Sequence, residues 1–118
     1  LLALILNRLL QLVLIEDLVI AQQLKYKFTA KPWQHNAPGG WYFISLPVAM
    51  AKEIREHFKQ EEAGWGRLKV TASIGNTEWK TAIWFDTKRK TYLLPLKADI
   101  RKKERLETGK PATACICI

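Results

Sequence analysis

Leu68, Val70, Ala72 and Ile74 alternate with Lys69, Thr71 and Ser73, and Gly75-Asn76 separates this run from a second one, Glu78 to Phe85. Side chains on a strand point to opposite faces in turn, so the first run offers one face to a core and the other to water. A two-residue connection containing Gly fits a tight hairpin and leaves no room for a crossover helix. A chain with this centre is committed to an antiparallel sheet. The flanking residues continue the pattern: Tyr26 to Lys31, Trp41 to Leu46, Thr91 to Leu96 and Ala112 to Ile118 are short apolar or alternating runs bounded by turn residues. Pro95 limits where its strand can pair. Pro32 to Gly40 reads as a loop, and Asp86 to Lys90 as a turn.

Only one segment has a good helical period. Met50, Ile54 and Phe58 recur at four-residue spacing through Ala49 to Lys59, after Pro47, which suits a first turn. Lys97 to Arg105 reads as a short basic helix. The expected fold is therefore mainly β: a small closed or nearly closed antiparallel β-barrel of about six strands with one amphipathic helix.

Leu1 to Ile20 is rich in Leu, Ile and Val, but Asn7, Arg8, Gln11, Glu16 and Asp17 interrupt it. No uninterrupted run approaches the roughly 18–20 apolar residues of a spanning helix. Arg8 inside the run and the acidic pair after it do not match a signal peptide. Residues 1–24 are therefore set apart as an apolar leader, residues 25–118 are read as one domain, and no membrane span is expected. Cys115 and Cys117 are one residue apart, too close to staple a fold, so a reducing, cytoplasmic setting is expected.

The motifs occur in a familiar order. Tyr26-Lys27-Phe28-Thr29-Ala30 precedes Gly39-Gly40-Trp41-Tyr42-Phe43 and Leu46-Pro47. Gly64-Trp65-Gly66-Arg67 with Val70 comes next, then Ile74-Gly75, Trp79-Lys80-Thr81, Tyr92 through Lys97, Ile100-Arg101-Lys102 and Gly109. Over residues 25–118 this series resembles the bacterial domain of unknown function nineteen-oh-five family. The resemblance implies a small β-barrel domain, found alone or fused to a bacteriocin-protection, OmpD-associated type domain, with no established activity or cofactor. The chain departs from that pattern at Lys110-Pro111, where an acidic residue commonly follows the glycine, and at Ala82, where serine is usual.

The sequence has no phosphate loop, dinucleotide glycine fingerprint, zinc-protease helix or nucleophile elbow. An enzyme is unsupported, and no catalytic residue, metal ligand set or cofactor is assigned. His35 and His57 lack a third ligand spaced to join them. His57 suits the end of the predicted helix, and the two cysteines read as small packing residues.

Nineteen Lys and Arg against 11 Asp and Glu give a net charge of +8, which favours anionic partners. Lys97 and Arg101, four apart, share a helix face at the end of a strand, where they form a clamp for one anionic group or for a carboxylate such as Glu78. The alternative is a plain solvated basic surface. Trp33, Trp41, Trp65, Trp79 and Trp84 supply either core packing or stacking surfaces, with Trp33 and Trp65 expected to be the exposed ones. The expected function is a non-catalytic binding module for a small anionic ligand or an acidic partner, with Lys97, Arg101, Trp79, Trp41, Trp33 and Trp65 as the candidate ligand-binding residues. Two rivals stand beside it. One is weak nucleic-acid binding, diluted by interleaved acidic residues. The other is an enzyme of unrecognised type, for which a cavity joining Glu78 or Asp99 to Lys97 is the minimum support.

Overall fold

The computed structural model describes residues 2, 3 and 24–118, apart from the side chain of Trp65, so most of the 1–24 leader lies outside the described residues. In chain order the domain contains β1 (Lys25–Ala30), β2 (Trp33–Gln34), β3 (Tyr42–Ser45), α1 (Val48–Phe58), two short 3-10 turns, β4 (Arg67–Ile74), β5 (Thr77–Asp86), β6 (Thr91–Pro95), α2 (Ala98–Lys103) and β7 (Ala112–Cys117). The seven strands form one antiparallel sheet in the order β1-β7-β4-β5-β6-β3-β2, curled into a half-barrel. The mainly β expectation holds, with one strand more than the sequence suggests. The additional strand, β2, is too short to show a period of two and sits inside the stretch read as loop.

The barrel is not closed by a ladder, because β1 and β2, its two edges, do not pair among the described residues. The chain itself joins them: β1 ends at Ala30, β2 begins at Trp33, and only Lys31 and a fully buried Pro32 lie between. The Pro32 carbonyl accepts the Gly109 N–H at 3.0 Å, which ties this corner to the segment leading into β7.

The core forms where the alternation places it. Phe28, Leu68, Val70, Ala72, Ile74, Ile83, Tyr92, Leu94, Ala114 and Ile116 are buried on one face of the sheet. α1 lays Ala51 and Ile54 into this core, with Met50 and Phe58 half-buried at its margins, and packs against β6. Each large apolar side chain so buried contributes about 1.5–3 kcal/mol. Thr91, the buried polar residue among them, donates its hydroxyl to the Leu46 carbonyl at 2.6 Å.

The β4–β5 hairpin closes as the sequence predicts, with Ile74 opposite Thr77. Gly75 has φ +57° and Asn76 does not share the positive φ, the pattern of a type II′ turn, so only the first of the two turn residues uses the freedom both possess. Glu104, just beyond α2, accepts the Asn76 N–H at 3.0 Å. α2 therefore spans from the end of β6 to the β4–β5 turn.

Candidate groove between β5 and the end of β6

β5 and β6 pair only through Trp84↔Leu93, Phe85↔Tyr92 and Asp86↔Thr91. Continued in that register, the next pair to exchange hydrogen bonds would be Ala82 with Pro95. Proline has no N–H to give Ala82, so the ladder ends there and the strands part. The gap is the mouth of an open cavity of about 1170 Å³. Lys80, Thr81, Ala82 and Trp84 form one wall, and Trp41, Tyr42, Pro95, Leu96 and Lys97 form the other.

Its electrostatics are one-sided. Among the described residues, Arg67, Lys69, Lys80, Lys97 and Arg101 line the cavity and no Asp or Glu does. Arg67, Lys69, Lys80 and Lys97 are exposed, whereas Arg101 is half-buried. The Arg101 guanidinium lies 3.8 Å above the Tyr42 ring and donates through Nη1 to the Leu96 carbonyl at 2.7 Å, which holds it at the groove wall. Lys97 precedes α2, and its carbonyl accepts the Arg101 N–H at 3.0 Å.

Beside the groove is an aromatic cluster on the sheet face opposite the core. Trp41 and Trp84 have ring centroids 5.3 Å apart, Trp33 and Phe43 are also 5.3 Å apart, and Phe43 links the pairs at 6.2–6.3 Å. Arg89 sits 4.3 Å over Trp33 and Arg67 5.9 Å over Trp84. Trp41 is 60% exposed. The loop that presents it turns so tightly that a Cβ on Gly40 would come within 1.4 Å of the His35 carbonyl oxygen.

The candidate residues thus part company. Lys97, Arg101 and Trp41 line the groove. Trp33 does not, and it is half-buried with its indole N–H donated to Ser45 Oγ at 2.9 Å, so among the described side chains the exposed tryptophan is Trp41 and not Trp33. Trp79 packs half-buried against the core with its indole nitrogen buried and unpartnered among the described residues, away from the groove. The Trp65 side chain lies outside the described residues. Neither Glu78 nor Asp99 lines the cavity with Lys97. Arg67, Lys69, Lys80 and Trp84 are the groove residues missed from the sequence. Their signal was the hairpin register, which sets Arg67 opposite Trp84, Lys69 opposite Ala82 and Thr71 opposite Lys80.

A second polar group lies between α1 and β5. The Tyr92 hydroxyl donates to Glu62, Arg55 Nε is 3.8 Å from the same carboxylate, and the Arg55 guanidinium stacks 3.7 Å over Phe85. Burial, then the hydrogen bond to Glu62, raises the Tyr92 phenol well above its ordinary value. Among the described residues no cluster of His, Cys, Asp and Glu is suited to a metal ion, and no helix is long and apolar enough to cross a membrane.

The family model described as Domain of unknown function (DUF1905) matches residues 28–116. No curated protein matches the chain.

Proposed function

We propose a function from one premise: the chain belongs to the DUF1905 family, a domain of unknown function, so its role has to be read from its own groove. That role is non-catalytic binding of a ligand bearing an anionic group, phosphate or carboxylate. The observation that carries this reading is the lining of one cavity, among the described residues, by five cationic side chains and no Asp or Glu. Like charges gathered around a concavity repel one another, and an anion seated among them relieves that repulsion. Arg101 is held in place by Tyr42 and Leu96, so less side-chain entropy is lost when it engages a ligand.

Titration with inorganic tripolyphosphate, followed by the fluorescence of Trp41 and Trp84, tests the reading. Binding at low salt should weaken by about tenfold or more in a Lys80→Ala/Lys97→Ala variant, both positions being exposed and dispensable for the core. Absence of binding at low salt, or binding indifferent to these substitutions, refutes it. The exposure of Trp41 beside Trp84 and Arg67 favours a second reading, single-stranded nucleic acid, in which base stacking contributes about 1–3 kcal/mol per base. Binding of an oligonucleotide that survives high salt and is lost in Trp41→Ala selects that reading over the first.

A further inference from the structure

β5 is bonded on one side along most of its length and on the other only at its end. Arg67 exchanges both of its backbone hydrogen bonds with Ala63 and none with its opposite residue Trp84, so the Arg67↔Trp84 pair is a non-hydrogen-bonded one. Pairs alternate along an antiparallel ladder, so Lys69↔Ala82, Thr71↔Lys80 and Ser73↔Glu78 are non-hydrogen-bonded as well. The N–H and C=O groups of Glu78, Lys80 and Ala82 are therefore directed away from β4, toward the side where β6 has departed. None of them is paired in register with a β6 residue among the described residues. Lys80 and Ala82 lie in the groove wall.

Resting on the anion-groove reading, we propose that the groove receives an extended acidic segment of a protein partner, which adds to the free edge of β5 as a further strand. The edge supplies an alternating row of donors and acceptors over five residues, roughly 17 Å of strand, which is the template that strand addition uses. Charge selects the occupant. Side chains of an added strand would alternate between the outer face, beside Lys80, Lys69 and Arg67, and the inner one, toward Arg101 and Tyr42, so carboxylates at the Lys80–Ala82 end of either set meet a cation, and Glu78, exposed on the outer face, opposes them only at the far end of the edge. A second copy of this chain is disfavoured on the same ground: its edge β1 carries Lys25 and Lys27, its β5 edge carries Lys80, and its other edge, β2, is only two residues long.

The test compares three probes on the whole chain: a short end-blocked peptide of alternating Glu and Thr, the same peptide N-methylated at alternate residues, and tripolyphosphate. N-methylation keeps the charge and removes the strand's donors on one edge. The unmodified peptide should bind about tenfold tighter than the methylated one, the equivalent of one or two net hydrogen bonds. It should also slow amide exchange at Lys80 and Ala82. Equal affinity of the two peptides, without exchange protection at those amides, overturns strand addition. Tripolyphosphate binding without peptide binding overturns it and leaves the anion groove standing, whereas binding of none of the three removes both. Preferential binding of a thymidine oligonucleotide over both peptides overturns it in favour of nucleic acid.

Discussion

Tyr92→Phe should destabilise the fold in a way that depends on pH with a definite sign. Tyr92 is fully buried, and its hydroxyl donates to Glu62, whose side chain is only 8% exposed and whose other charged neighbour is Arg55 at 3.8 Å. Removing the hydroxyl takes away a charge-assisted hydrogen bond and leaves a largely desolvated carboxylate with one partner, at a cost of about 1.5–3 kcal/mol. The pH dependence follows from linkage. The folded phenol titrates above its ordinary value of 10.0, because burial and then Glu62 disfavour the phenolate. A group whose folded pKa is raised stabilises the fold fully below the unfolded value, and that stability is lost as pH rises above it. Wild-type stability should thus fall above pH 10 by about 1.4 kcal/mol per unit from this residue, a loss the Phe variant does not share. The gap between the two proteins should close over about one to two pH units above that point. Urea unfolding of both, from neutral pH upward, measures it, with the other tyrosines and lysines cancelling in the comparison. A gap under about 0.5 kcal/mol at neutral pH, or one that stays constant through the alkaline range, refutes the account of this buried pair.

Gly75→Ala should cost about 1–2 kcal/mol, because φ is +57° there and the new Cβ would lie 2.0 Å from Glu104 Oε1, displacing the cap on Asn76. A thermal melt unchanged by the substitution would show that the turn relaxes freely. A chain beginning at Gln23 should fold by itself, since the strand pattern starts with β1 and Leu24 already accepts the Ile118 N–H at 3.1 Å. Circular dichroism with a non-cooperative melt, against a cooperative one for the whole chain, would show that the preceding residues belong to the fold.

What could be read from the sequence was whatever depends on near neighbours. The alternation of Leu68 to Ile74 settled which face of β4 is buried, the Gly75-Asn76 turn set the β4–β5 register, and the stripe Met50, Ile54, Phe58 found the helix and its inward side, because each rests on a repeat of two or on a four-residue spacing. The place of Lys97 and Arg101 at a strand end was legible for the same reason. The order of strands was not. β1 and β2 adjoin in sequence yet form opposite edges of the sheet, and only the fold brings Trp33, Phe43, Trp41 and Trp84 together from three strands and a loop. The groove depends on the same long-range pairing. Pro95 carries a local fact, a missing N–H, but its consequence waits on β5 being the neighbour it fails to bond, and Arg67, Lys69 and Lys80 become one cationic wall only once that gap has opened. Local propensity acts within a few residues, whereas strand order is chosen by burying one shared core, and that choice is made over the whole chain at once.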